Sequence, residues 1–401
     1  MSLKGAKFKM DYQNILSKKV QKIQPSGIRK FFDIAAEMKD VVSLTVGEPD
    51  FVTPKHIRDV AIKSLEDGAT KYTSNSGMTE LRQEIANYLD RRFGTKYEAL
   101  KEVIVTVGGS EAIDNAIRAC VNPGDEVIIP LPAFVCYPPL VELAGGTPVI
   151  INTTEKDKFK LTPEALKAAI TPKTKMLILP YPNNPTGAIM TKEDLEPIAE
   201  ILRGTDILVL SDEIYGELTY GRNHCSFASL PGMWERTIIA SGFSKAYAMT
   251  GWRMGYIAAP APITAQILKL HQYAIMCAPT TSQYAAIEAI KNGDEDVKMM
   301  AEEYNRRRVA IIEGLNRIGI DCFEAEGAFY VFPNIGKFGL TSDEFCQRLL
   351  REEHVAIVPG TAFGECGEGF ARSSYAYSVE HIKKALEKME IFVAKLKAEQ
   401  K

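Results

Sequence analysis

Thr237-Ile238-Ile239-Ala240-Ser241-Gly242-Phe243-Ser244-Lys245 is the stretch on which the fold turns: a short apolar run that breaks into small and polar residues around a lysine. The same pattern recurs along the chain. Further apolar runs stand at 103–107, 126–129, 148–151, 176–179, 207–210 and 255–259. Nearly all are rich in Val and Ile and apolar on both faces, as are strands buried on both sides of a mostly parallel sheet. Helical patterns lie between several of them. Thr191 is an N-cap with Asp194 in capping-box spacing. Leu195, Ile198, Ala199 and Leu202 then repeat at i, i+3, i+4 and i+7, a stripe that covers one sheet face. The reading is an α/β domain with a mostly parallel, roughly seven-stranded sheet.

The tail differs. A long helical stretch covers 295–318, and short strands follow near 329–332, 355–358 and 370–374. The last helix starts after Ser378, with Ile382, Ala385, Leu386, Met389, Phe392, Val393 and Leu396 on its buried face. This predicts a smaller α+β domain. The division expected is 51–290 for the large domain and 1–50 with 291–401 for the small one. The first fifty residues show weak periodicity and are expected to pack on the small domain.

Composition excludes several classes. The 401 residues are 46% hydrophobic and 25% charged, with 48 basic against 51 acidic side chains and a net charge of −3. Such a balance exerts no general pull on nucleic acid or anionic membrane. The most apolar stretch, 127–141, is broken by Pro130, Pro132, Pro138 and Pro139, so no membrane span is expected. Lys4, Lys7 and Lys9 precede no apolar leader segment, which points to the cytoplasm. The seven cysteines lack CxxC-like spacing and the five histidines are scattered, so neither a disulfide framework nor a metal site is expected.

The chemistry-bearing residues cluster by position. Gly108-Gly109-Ser110, Pro132-Ala133-Phe134, Asn183-Asn184-Pro185-Thr186-Gly187, Ser211-Asp212-Glu213-Ile214-Tyr215 and Ser241-Gly242-Phe243-Ser244-Lys245 each follow an apolar run. In a parallel sheet the carboxyl ends of the strands share one edge, where ligands bind. Gly108-Gly109-Ser110 leads into a helix whose free N–H groups and dipole favour an anion, though a tight turn would read the same. Neither GxGxxG nor a P-loop is present. Arg253 offers a fork to the same anion or a surface ion pair. Asp212 is a cap or a partner for a buried cation. Lys245, in a small-residue turn beside an apolar strand, is a solvated lysine or a desolvated amine able to form a Schiff base. Together a phosphate nest, a lysine and a cation-seeking acid suggest pyridoxal phosphate.

Here the residues carry a resemblance. The run from Ser241 to Gly255 resembles the lysine signature of class I/II pyridoxal-phosphate aminotransferases. Asn183–Gly187 and Ser211–Tyr215 resemble two more of that family's motifs, as do Val46-Gly47-Glu48-Pro49-Asp50, Lys71-Tyr72, Gly327-Ala328-Phe329-Tyr330, Val358-Pro359-Gly360 and Arg372-Ser373-Ser374-Tyr375-Ala376. The set is most similar to the prokaryotic aspartate and aromatic aminotransferase branch of fold type I. The resemblance implies transfer of an amino group from an L-amino acid to a 2-oxo acid such as 2-oxoglutarate, in a ping-pong cycle. A C–S β-lyase on the same scaffold is the alternative, and a non-catalytic ligand-sensing module the alternative of another class. Such modules usually attach a DNA-binding domain, and the aminotransferase-like pattern leaves no room for one here.

The resemblance also assigns roles. Lys245, Asp212 and Tyr215 would be catalytic: Lys245 binds the cofactor and moves the proton, Asp212 pairs with the pyridinium N–H, and Tyr215 with Asn184 hydrogen-bonds the phenolic oxygen. Phe134 would stack on the ring. Gly108, Gly109, Ser110, Ser244 and Arg253 would hold the phosphate. Relatives often carry a hydroxyl at the position of Gly242, so Ser241 or Ser244 would replace it. Arg372 would pair with the substrate α-carboxylate, which the Gly47 backbone and Asn184 also reach. Tyr72 would reach the cofactor of the neighbouring subunit, implying a homodimer. Trp252 and Phe243 read as packing, and Arg306-Arg307-Arg308 as a solvated helix face. Tyr330 and Ile28 line the substrate side-chain pocket or belong to the core.

Overall fold

The computed structural model describes residues 10–25 and 38–400; Ile28 lies outside them. Strand β1 (Val42–Ser43) comes first in the chain. The next seven are β2 (Val103–Thr106), β3 (Glu126–Leu131), β4 (Thr147–Asn152), β5 (Thr174–Leu179), β6 (Leu208–Asp212), β7 (Thr237–Gly242) and β8 (Gly255–Ala258). They form one sheet in the order β2-β8-β7-β6-β5-β3-β4. Every pairing is parallel except those of β8, which runs antiparallel to both β7 and β2. The chain between β7 and β8 holds only turns, with no helix to carry it back across the sheet, so β8 returns in the opposite direction.

The interior strands are buried on both faces, as their composition predicts. Edge strand β4 departs from that expectation: Ile150 is 41% exposed, because β4 has a neighbour on one side only. Helix Lys192–Leu202 starts with the predicted capping box of Thr191 and Asp194. Its Leu195, Ile198, Ala199 and Leu202 are buried, each of the larger side chains contributing about 1.5–3 kcal/mol of burial.

A second region is built on helices Asp294–Ile318 and Val379–Glu399, with Ser378 capping the latter through the His381 N–H. Its strands are short: β9 (Tyr330–Val331), β10 (Val355–Ala356), β11 (Val358–Pro359) and β12 (Ala371–Ser374). They form an antiparallel sheet β11-β12-β9 and a parallel pair β1-β10. Val42 and Leu44 join the core of this region. The short helices Tyr12–Ile15 and Lys18–Lys22, expected there too, instead lie exposed, the second against helix Tyr137–Ala144 of the large sheet.

Arg306-Arg307-Arg308 is not a solvated face. Only Arg306 points outward, to Glu303. Arg307 is buried, bonded to Asp50 at 2.7 Å and stacked on Phe51 and Tyr304. Arg308 is buried over the Tyr220 ring and donates to the Ala325 carbonyl at 2.9 Å. Each buried guanidinium is paired, and its stem packs on aromatic faces. No described helix is long and apolar enough to cross a membrane, and no cluster of metal-ligating side chains exists among the described residues.

Candidate active site

The clusters that follow the strands meet at one edge of the large sheet. Helix Gly108–Cys120 begins just beyond β2. Gly108 has φ +76°, and a Cβ there would lie 2.5 Å from Arg253 Nη2, so only glycine lets the guanidinium reach this turn. Gly109 and Ser110 wall the adjoining cavity. Arg253, itself in the left-handed region, is steadied by the Thr250 carbonyl at 2.9 Å.

Asp212 ends β6, buried. It accepts the Tyr137 hydroxyl at 2.6 Å and the Ile214 N–H at 3.2 Å. Burial pushes its carboxyl pKa up, and these bonds oppose that push. Lys245 Nζ donates to the Gly47 carbonyl at 2.7 Å, with the Phe329 and Tyr215 rings about 6 Å away. Burial pulls its pKa down to about 8; Arg372 and Arg253 add to that, while Glu48 and Asp212 oppose it. A lysine so placed has a far larger share of neutral amine near pH 8 than a solvated lysine, and that is the form that attacks an aldehyde.

Arg372 lies on β12, buried between the Tyr330 and Phe363 rings at 4.6 and 4.8 Å. It donates to Asn184 Oδ1 at 3.1 Å and to the Thr45 carbonyl, and its buried Nε has no partner among the described residues. The hydroxyls of Tyr215 and Tyr330 lie 2.9 Å apart. These groups face one cavity of about 340 Å³, walled also by Phe134 and Ser244.

The structure thus brings together Gly47, Gly109, Ser110, Phe134, Asn184, Asp212, Tyr215, Ser244, Lys245, Arg253 and Arg372, with Gly108 one step behind the wall. Tyr72 is not among them: it is 81% exposed on the surface of its own chain. Ser241 and Ser244 differ in position. Ser244 walls the cavity, whereas Ser241 donates to the Glu213 carbonyl. A side chain at 242 has no room, since a Cβ there would lie 2.7 Å from the Met254 carbonyl. Tyr330 lines the cavity, and Phe243 packs in the core between Tyr247 and Tyr256. Trp252 does more than pack: its indole N–H donates to Thr53 Oγ1 at 2.9 Å.

Sequence reasoning missed Tyr137, Glu48 and Thr250. Tyr137 opens the helix Tyr137–Ala144 just after Phe134, and no local signal marks it. Glu48 adjoins Gly47 and accepts the Thr250 hydroxyl at 3.1 Å; it stands inside the Val46–Asp50 motif, to which the resemblance assigns a role at Gly47 alone.

These features fit one guest. The turn of Gly108, Gly109 and Ser110 beside Arg253 suits a phosphate, the buried amine of Lys245 suits an aldehyde, and the buried Asp212 carboxylate needs a cation such as a protonated ring nitrogen. That is the donor set of pyridoxal phosphate.

Comparison with known proteins agrees. The family model for aminotransferase class I and II matches residues 39–389. A putative aminotransferase of Bacillus subtilis is 54% identical, over 95% of this chain and 98% of its own. An aspartate aminotransferase of Pyrococcus abyssi is 46% identical, over 94% and 97%. The crystal structure of an aromatic aminotransferase from Pyrococcus horikoshii superposes with a TM-score of 0.88 at 44% identity, covering 92% of this chain and 99% of that one. The chain belongs to the class I and II aminotransferases. It is a fold-type I transferase, and its cofactor is pyridoxal 5′-phosphate.

Proposed function

We propose that this enzyme moves the amino group of aspartate, an aromatic amino acid or a related L-amino acid to 2-oxoglutarate or a similar 2-oxo acid, in two half-reactions. The observation that carries the reading is the convergence of Lys245, Asp212 and Arg372 on one cavity of about 340 Å³. Relatives named for aspartate and for aromatic amino acids support the substrate class. When bound, the cofactor supplies the aldehyde that takes up the amino group and a ring that accepts the electron pair left at Cα.

The residues divide the work. Arg372 holds the substrate α-carboxylate, its fork aligned by Asn184 and Thr45. Lys245, as a neutral amine, would take the proton from Cα and return it to the cofactor's aldehyde carbon, on the far side of the amino nitrogen. Asp212 keeps a proton on the ring nitrogen, oriented by Tyr137. Tyr215 and Asn184 donate to the phenolic oxygen, and Phe134 stacks on the ring. Gly108, Gly109, Ser110, Ser244 and Arg253 hold the phosphate.

Two copies complete the unit: Tyr72, exposed here, reaches the neighbour's phosphate. The division at 51–290 for the cofactor-binding body and 291–401 for the other is supported for the 42–44 segment by the β1-β10 pairing, whereas the helices at 12–22 lie outside the smaller body. The seven free thiols suit the cytoplasm.

A panel of L-amino acids with 2-oxoglutarate or oxaloacetate tests the reading. Aspartate or an aromatic donor gives the highest kcat/KM, with parallel double-reciprocal lines. Pyruvate release from cystathionine without any oxo acid, or no transfer from any donor, overturns it.

A further inference from the structure

Behind the turn that walls the phosphate end, a buried histidine meets a partly buried carboxylate. Glu111 stands in the first turn of helix Gly108–Cys120. A carboxylate there shares the charge sign of an arriving phosphate and would oppose it. The structure turns the carboxylate backward. Its Oε2 accepts the backbone N–H of Val107, the residue that caps the helix. Its Oε1 accepts from Asn115 Nδ2 at 2.9 Å and meets His271 Nδ1 at 2.6 Å. A carboxylate partner requires the proton on Nδ1, so His271 is the donor.

His271 comes from the last turn of helix Ala261–Ala274, far along the chain. Its side chain is 0% exposed, and its Nε2 has no partner among the described residues. Burying an imidazole with one ring nitrogen unpaired is costly, and an apolar side chain would fill the space without that cost. What the imidazole alone supplies is an N–H aimed at Glu111.

We propose that Glu111 and His271 are positioning residues for the cofactor phosphate. His271 holds Glu111 against the Val107 N–H, and that contact fixes the Gly108-Gly109-Ser110 turn in the shape that receives the phosphate. Without it the Val107 N–H is unsatisfied and the start of the helix frays. The inference rests on the reading of that turn as the phosphate site.

The test is titration of the apo-protein with pyridoxal phosphate and, separately, with pyridoxal, which carries the ring and aldehyde but no phosphate. Visible absorbance of the bound ligand is the readout. Glu111→Ala and His271→Leu each weaken pyridoxal phosphate about tenfold or more, the worth of a lost charged hydrogen bond. Both leave pyridoxal affinity unchanged. His271→Asn, which keeps an N–H near the Nδ1 position, restores most of the loss. Equal weakening of both ligands overturns the proposal, as does no weakening of either. Should His271→Leu fail to fold, Glu111→Gln decides the matter. Its carboxamide has one acceptor oxygen for two groups of donors, and it must show the same phosphate-selective loss. A wild-type apo-protein that bound no pyridoxal phosphate would overturn the cofactor reading itself.

Discussion

The two ends of the cavity are built in different ways. The phosphate end is made mostly of backbone and of neighbours in sequence: the Gly108-Gly109-Ser110 turn, and the loop that carries both Lys245 and Arg253. The carboxylate end is made of side chains brought from far apart. Arg372 bonds to Asn184, 188 residues away, and to Thr45, 327 residues away, and stacks on Tyr330. The first end is a receptacle set by the large sheet. The second depends on where the smaller region places β12 and the 45–51 segment. Recognition of the cofactor should therefore be largely separable from recognition of the substrate, with Lys245 and Asn184 common to both.

Lys245→Ala breaks both ends at once. Turnover falls roughly 10⁴-fold, the upper range for a lost proton-transfer group. The absorbance of cofactor bound through the lysine disappears as well. Steady-state transfer of an amino group by this variant at the wild-type rate would refute the assignment.

Arg372→Leu and Arg253→Leu separate the ends. Removing Arg372 leaves the α-carboxylate without its buried partner and lowers kcat/KM roughly a hundredfold, with cofactor affinity retained. Removing Arg253 does the reverse: cofactor binding weakens and the KM of the donor in cofactor-saturated enzyme stays the same. The comparison fails if both variants lose cofactor equally.

A pH profile reads the electrostatics between the ends. Aldehyde capture by the apo-protein needs the neutral amine of Lys245, so it is slow at low pH, rises through a midpoint of about 8 and then levels off. Glu48 raises the lysine pKa, so Glu48→Gln moves the rise to lower pH. Arg372 lowers it, so Arg372→Leu moves the rise to higher pH. Stopped-flow absorbance with pyridoxal phosphate measures both midpoints, and two shifts of the same sign would contradict the geometry.

The same contrast governs what the chain reveals before it is folded. The strand runs and the turn at 108–110 are legible because their signals are local: β-branched stretches, small residues, one lysine. The direction of β8 is not, since an apolar run reads alike both ways; only the helix-free link before it hints at reversal. Arg372 is invisible to periodicity and enters through family resemblance alone. Tyr137 escapes notice because its partner Asp212 lies 75 residues on. Arg307 and Arg308 mislead for the same reason. Three consecutive arginines on a helix look solvated until Asp50, 257 residues from Arg307, and the Tyr220 ring are placed against them.

The smallest effect concerns the joint between the ends. The Trp252 indole N–H donates to Thr53 Oγ1, and Thr53 Oγ1 donates to the Ala248 carbonyl at 2.6 Å. This chain of bonds fastens the 46–53 segment to the lysine loop. Trp252→Phe removes one link and lowers stability by about 1 kcal/mol, seen as a shift of the urea midpoint at constant slope. Thr53→Val removes both links and costs more. In the Thr53→Val background the indole has already lost its acceptor, so Trp252→Phe then costs only the difference in packing. A double variant whose loss equals the sum of the two singles would mean that the bonds act independently and that the joint is not a unit.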